Sequence, residues 1–298
     1  MSILIDENSR VIIQGMTGKE GSTACRLMLK YGTRVECGVT PGKGGQQVEG
    51  KPIYDTIREA ASSHPVNTSL IYVPPLAVKD AAFEALANGI KLVCVITEHV
   101  PMHDAASIVA AARDHDARII GPSSLGVISP GKALLGALGG ETPEKYFRAG
   151  NVGVISKSGA MTTEISNMLT LAGLGQSTSI SIGGDYLQGL TFSDCLELFQ
   201  NDPATEAVVI FGEHGGLYEE QAAELITKGG YTKPLVAFVA GFFAERLPQG
   251  LTLGHAGAII EGNTGTPTHK VAALRQAGAL VADRFGDIPK LVKQALQK

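Results

Sequence analysis

There is no tryptophan in this chain, and only four cysteines among 298 residues. Cys25, Cys37, Cys94 and Cys195 stand far apart with no CxxC pair. That spacing excludes the common zinc sites and offers no disulfide framework, so the thiols are expected to be free and buried. No metal site is read from histidine either, because His64, His99, His103, His115 and His269 are scattered over stretches that do not converge in sequence.

An excess of positive charge is also lacking. Lys and Arg number 25 against 29 Asp and Glu, a formal net charge of −4, and the isoelectric point is near 6.0. This balance leaves no basic stripe for nucleic acid and no polybasic membrane patch. The longest apolar run, "PLVAFVAGFFA" at 234–244, is too short to cross a bilayer, and the start "MSILIDENSR" lacks the order of a secretion signal. A cytoplasmic protein with small-molecule or protein partners is expected. There is no GxxxxGK[ST] loop, and "SKSG" at 156–159 is only superficially similar, so the chain offers no P-loop for a nucleotide.

Glycine, by contrast, is abundant at 37 residues, which implies many tight turns or close approaches of backbone to a ligand. At roughly 150 residues per domain, the length suggests two domains. Short apolar runs ("RVIIQG", "RVECGV", "SLIYVP", "KLVCVIT", "RIIGP") alternate with stretches of helical spacing such as "VKDAAFEALANG". Such alternation predicts a parallel sheet covered on both faces. Residues 127–150, rich in Gly and Pro, read as a crossover. The alternation restarts with "NVGVIS", "GQSTSISIG", "AVVIFGE", "PLVAFVAG" and "ALVAD". Two doubly wound α/β domains, 1–126 and 151–298, are the expected architecture.

The first strand runs straight into "QGMTGKEGSTACRLML", where Gly15, Gly18 and Gly21 precede a helix. A turn of this kind brings N–H groups and a helix N-terminus up to a phosphate, although the same pattern serves NAD, FAD, coenzyme A or simple tight packing. An NAD site usually ends its second strand on an acid. Here "RVECGV" leads instead into "TPGKGGQQ", with Lys43 in that place and Glu36 in mid-strand. A lysine in a glycine-rich loop suits the phosphates of coenzyme A. The turns "VPPLAV" and "ITEHVP" open at the same carboxyl edge of the sheet, where ligands bind in open α/β folds.

In order, "GMTGKEG", "GVTPGKGG", "YVPP", "ITEHVP", "GEHGG" and "GHAGAI" resemble the α subunit of succinyl-CoA synthetase over almost the whole chain. That family is a group of NDP-forming acid–CoA ligases that also includes malate–CoA ligase, citryl-CoA synthetase and ATP-citrate lyase. The resemblance implies a Rossmann-like CoA-binding domain followed by a flavodoxin-like ligase domain. It assigns coenzyme A to Gly15, Thr17, Gly18, Lys19, Glu20, Gly21, Lys43, Val73, Pro74, Ile96, Thr97 and Glu98. His255, set between two glycines in "GHAGAI", becomes the phosphorylated carrier, with Glu213 orienting its imidazole. Ser156, Ser158, Gly159 and Ala160 at the start of a helix, together with Gly254, would meet the phosphoryl group. Ser123, Ser124 and Thr163 would border the acid. The family's ATP or GTP, with Mg²⁺, lies mainly on an ATP-grasp domain of a separate β subunit, in an αβ or (αβ)₂ assembly.

Three departures stand out. The family usually reads "GPNCPG" where this chain has "GPSSLG" and "SRSGTLTYE" where it has "SKSGAMTTE", so Thr163 replaces a tyrosine; His214 replaces an apolar residue. The first two lean toward the citrate-handling branch, while the chain's length leans toward succinate. Succinate is therefore expected first, with malate or citrate next. Two readings of other classes are a CoA-binding protein without catalysis and an NAD-linked dehydrogenase, the latter disfavoured by the missing strand-end acid.

Overall fold

The computed structural model describes residues 2–246, 255 and 265–297. Its first sheet contains β1 (Arg10–Gln14), β2 (Arg34–Val39), β3 (Gln47–Val48), β4 (Lys51–Tyr54), β5 (Thr68–Ile71), β6 (Leu92–Val95) and β7 (Arg118–Ile120), in the order β3-β4-β2-β1-β5-β6-β7. All pairings are parallel except the short β3–β4 edge. Helices α1 (Lys19–Tyr31), α2 (Ile57–Ser63), α3 (Val78–Ala87) and α4 (Met102–Asp114) connect them. The order reverses direction between β1 and β5, which opens a crevice at their carboxyl ends, as in Rossmann folds.

The second sheet contains β8 (Gly126–Ser129), β9 (Ala133–Gly136), β10 (Ala149–Ser156), β11 (Gln176–Ser181), β12 (Ala207–Gly212), β13 (Leu235–Val239) and β14 (Leu280–Val281). Its order is β14-β13-β12-β10-β11-β8-β9. The five strands from β10 onward are parallel in the flavodoxin-like arrangement, with the crevice between β10 and β12. Helices α5 (Gly159–Leu171), α6 (Phe192–Gln200), α7 (Tyr218–Thr227), α8 (Pro267–Gln276) and α9 (Ile288–Leu296) complete this half.

The stretch 127–150 is more than a crossover. Most of β8 and all of β9 fall within it, forming a hairpin that adds antiparallel to β11. Both strands are buried along their length, so the Gly and Pro residues of this stretch punctuate short strands instead of replacing them. The hairpin also ties the halves together: Thr33 Oγ1, just after α1, donates to the Leu134 carbonyl at 2.8 Å and accepts from the Leu134 N–H at 2.9 Å. One apolar cluster runs through both halves, from Ile13 and Leu70 to Val127, Leu135 and Ile180.

The four cysteines are free and buried. Burial pushes the thiols of Cys25, Cys37 and Cys94 up to about 12, which leaves them protonated and inert at neutral pH. Among the described residues, no helix is long and apolar enough to cross a membrane, and no group of three or more His, Cys, Asp or Glu could hold a metal ion.

Candidate active site

Strand β12 ends at Gly212, and the next residue, Glu213, turns into the crevice beside β10. Both of its carboxylate oxygens lie within reach of His255 Nδ1, at 2.8 and 3.0 Å. An ionised carboxylate can only accept, so this contact assigns the proton to Nδ1 and leaves Nε2 as the free, nucleophilic nitrogen. The imidazole ring rests on Gly184, where a Cβ would run into it. A Cβ at that position would force the ring or the backbone beneath it to shift.

Lys157 follows β10 and closes the same crevice. Its side chain is only 4% exposed, and its ammonium is 3.7 Å from Glu213 Oε1 and 5.4 Å from the centre of the Tyr218 ring. Around this cluster the charges adjust one another. The hydrogen bond that His255 donates to Glu213 raises the imidazole above its usual value against the opposing cost of burial, and Glu98 adds a smaller pull in the same direction. For Glu213, burial pushes upward, but the His255 hydrogen bond and the Lys157 charge outweigh it and hold the carboxyl below the ordinary range. The result is a carboxylate that stays ionised beside an imidazole that gains a proton readily.

At the start of α5, Ser158 caps the helix by accepting from the Met161 N–H at 3.4 Å, and Ser156 Oγ accepts from the Ser158 N–H at 3.0 Å. The free N–H groups at Gly159 and Ala160 and the helix dipole make this end suitable for an anion. Thr163 is half-buried one turn further on, its hydroxyl donating to the Gly159 carbonyl at 3.4 Å. Gly254 lies outside the described residues.

This chain is 49% identical over 297 residues to succinate–CoA ligase [ADP-forming] subunit alpha 1 of Archaeoglobus fulgidus, covering 100% of this chain and 99% of that one. The chain belongs to the α-subunit family of the ADP-forming acid–CoA ligases. Its two halves agree, since residues 6–99 match a CoA binding domain and residues 155–280 a CoA-ligase domain. An ADP-forming sulfoacetate–CoA ligase subunit from an Acholeplasma species is also similar, 45% identical over 99% of this chain and 98% of its own. Among solved structures, ATP citrate lyase from Methanothrix soehngenii, in complex with citrate and coenzyme A, superposes with a TM-score of 0.92 at 28% identity. The match covers 99% of this chain and 50% of the lyase, so this ligase subunit corresponds to half of that longer chain.

In the CoA-binding half of the ligase subunit, the sequence-derived residues converge on one sheet edge. The turn Gly15–Gly21 follows β1, Lys43 follows β2, Val73 and Pro74 follow β5, and Ile96, Thr97 and Glu98 follow β6. Gly21 presses on the Gly15 carbonyl so closely that no Cβ fits, which holds the turn flat against the helix. Gly18, Lys19 and Glu20 are exposed on its outer side. Thr17 and Thr40 join the first two turns through their hydroxyls at 3.2 Å, and Thr97 Oγ1 donates to the Val73 carbonyl at 2.7 Å. Lys43 is fixed at its backbone, where its N–H donates to Asp55 at 3.0 Å, while its side chain is exposed. Glu36, the other candidate on that strand, pairs with Arg10 at 2.9 Å.

This edge faces the ligase half. Ser123 takes a positive φ of 59° and donates its N–H to the Thr97 carbonyl at 3.0 Å. Asp185 reaches back to accept from the Val100 N–H at 3.3 Å, and burial pushes its carboxyl up. The 96–100 turn is thus joined to the loop whose Gly184 supports His255. The buried hydroxyl of Ser124 donates to the Ser181 carbonyl at 2.6 Å and accepts from the Gly126 N–H at 2.8 Å. These bonds hold the turn that precedes β8 against β11. His214 is buried, packed edge-on against Phe243 with ring centres 6.0 Å apart, and neither ring nitrogen has a partner among the described residues. Burial pulls its pKa down, so it fills the place of an apolar residue as a neutral ring.

Sequence reading missed Lys157, Gly184 and Asp185. The signal for Lys157 was present in "SKSG", since a residue between a strand end and a helix start at the crevice of a doubly wound sheet faces the ligand site. Gly184 and Asp185 sit in a loop whose importance depends on a contact distant in sequence.

Proposed function

We propose that this chain is the α subunit of a reversible, NDP-forming succinate–CoA ligase that carries a phosphoryl group on His255. The observation that supports this most is the Glu213–His255 contact, which fixes the proton on Nδ1 and leaves Nε2 free beside the crevice between β10 and β12. The γ-phosphoryl of ATP or GTP, with Mg²⁺, is bound mainly by a partner β subunit with an ATP-grasp domain, and is transferred to Nε2 as NDP leaves. A carboxylate oxygen of the acid then attacks the phosphohistidine, the P–N bond breaks, and an acyl phosphate forms. The thiolate of coenzyme A attacks the acyl carbon and inorganic phosphate departs, leaving the thioester. Glu213 stabilises the ring through the Nδ1 proton, the start of α5 receives phosphoryl oxygens, and Lys157 offsets their charge.

Supporting the CoA assignment are the flat glycine turn, the exposed Lys43 and the CoA binding domain match at residues 6–99. The full-length similarity to α subunits supports the partner. Succinate is the acid we propose, on the Archaeoglobus relative.

The test is to incubate the purified complex with γ-labelled ATP or GTP and assay this chain for acid-labile, base-stable label. Labelling lost in His255→Ala, with CoA binding retained, supports the reading. A CoA-binding protein without catalysis would take no label in either form. Turnover with succinate, malate, citrate and sulfoacetate in parallel tests the acid, and faster use of any of the other three would replace succinate.

A further inference from the structure

A fully buried ion pair lies beneath the Glu213–His255 contact. Lys270, in α8, and Glu219, in the first turn of α7, are both 0% exposed, and the Lys270 ammonium donates to Glu219 Oε2. The same ammonium donates to the Gly215 carbonyl at 2.6 Å. The other oxygen of Glu219 accepts the backbone N–H of Glu213 at 3.0 Å. One ion pair therefore grips the 213–215 turn at both ends, by a donor at its first residue and an acceptor at its last. The fit is close, since a Cβ on Gly212 would run into the Glu219 carboxyl group.

The same turn is also tied through its backbone to the chain just ahead of α8. The Gly215 N–H donates to the Gly265 carbonyl at 2.8 Å, and Gly265 lies between His255 in sequence and α8, where Lys270 sits. The turn that carries Glu213 is thereby bound to Gly265 and, through Lys270, to α8. Burying two charges is costly, and apolar side chains of similar volume commonly pack as well or better. Packing alone would not call for a lysine and a glutamate here. A charge-assisted grip does something packing cannot, because it fixes the direction of a backbone N–H and a carbonyl.

We propose that Lys270 and Glu219 are positioning residues for phosphoryl transfer: they hold the 213–215 backbone so that the Glu213 carboxylate meets His255 Nδ1. This inference rests on the reading of His255 as the phosphoryl carrier. The pair touches neither ring nor substrate, and it acts through Glu213.

The test is a mutant cycle on the complex with its own β subunit, read as the single-turnover rate of labelling from γ-labelled nucleotide. The double variant Glu219→Gln/Lys270→Met removes both charges without stranding either. It is made in the wild-type background and in Glu213→Gln. We expect at least a tenfold loss of labelling rate in the wild-type background, unchanged CoA affinity, and less than a further twofold loss once Glu213 is already Gln. Glu219→Asp, which keeps the charge and withdraws the carboxylate, repeats the cycle if the double variant does not fold. A wild-type labelling rate, or the same fold loss in both backgrounds, overturns the proposal, since a merely structural pair would act independently of Glu213. Labelling that survives His255→Ala is scored separately and overturns the underlying reading of the site.

Discussion

Glu213 and His255 meet in a two-oxygen contact, with both carboxylate oxygens within 3.0 Å of the same ring nitrogen. The contact has opposing consequences for phosphorylation. It holds the ring in the right tautomer, but it also raises the imidazole above its ordinary value, which favours the protonated and non-nucleophilic form. The nucleophile is therefore lost as pH falls through a range above the ordinary histidine value near 6.5. Glu213→Gln removes that charge, so the acid limb of the labelling rate should move to lower pH. Because an uncharged amide orients the ring less firmly, the plateau rate should fall about tenfold. Rates of labelling measured across pH 5–9 check both; an acid limb that does not move would show that Glu213 does not set the charge on His255.

Lys157 gives a prediction of opposite sign. Its ammonium disfavours a proton on His255 and favours ionised Glu213. In Lys157→Ala the imidazole rises further, and the acid limb should shift to higher pH. Labelling should slow as well, because a cation beside the incoming phosphoryl group is lost. The two variants together separate the roles: one lowers the limb, the other raises it, and both reduce the plateau.

Gly184 supports the ring from below, and a Cβ there would overlap it. Gly184→Ala should displace His255 from Glu213 and reduce labelling by about two orders of magnitude, the scale expected when a reacting group is misplaced by about 1 Å. CoA affinity should change little, because the CoA binding domain match at residues 6–99 lies on the other sheet. Near-normal labelling in this variant would mean that the resting position of His255 is not the one used for phosphorylation.

How far these relationships were legible in the sequence depended on their range. Strand and helix alternation depends on local apolar spacing, so both doubly wound sheets could be read before the structure was known. The β8–β9 hairpin escaped because four-residue strands bounded by Gly and Pro carry little periodic signal. The carboxyl-edge turns were legible as motifs, whereas the use of a hydroxyl was not: Ser124 and Ser123 are adjacent, yet only Ser124 is engaged by Ser181 and Gly126. Lys270 and Glu219 belong to different helices, and nothing in either helix's own pattern announces that their side chains meet at the back of the site.

Lys43 tests the CoA edge. Its exposed ammonium can meet a phosphate only in contact with water, so the contribution is modest and screened by salt. Lys43→Ala should weaken CoA about fivefold at low ionic strength, with a smaller difference at high salt. Titration of the complex with CoA and dephospho-CoA at two salt concentrations measures this. Equal affinities for wild type and variant at low salt would remove Lys43 from the site.

The acid is tested at Thr163. It is half-buried one turn into α5, close in the chain to the proposed anion site at Ser156–Ala160, and its hydroxyl is turned back to the Gly159 carbonyl at 3.4 Å. A threonine is smaller than the family's tyrosine, and Ser123 sits half-buried in the turn whose Leu125 packs against Gly159 at the start of the same helix. Extra volume with a hydroxyl nearby suits an acid bearing its own hydroxyl group better than a tyrosine would. We therefore expect the wild-type complex to use malate or citrate measurably beside succinate. Thr163→Tyr should shift the ratio of kcat/KM toward succinate by about tenfold, the scale on which filling or emptying a pocket discriminates between substrates. Ser124→Ala should leave that ratio unchanged and lower the melting temperature, because its hydroxyl holds the turn together. If Thr163→Tyr leaves the ratio unmoved, the acid lies away from this helix end, and the position is free to vary without consequence for substrate choice.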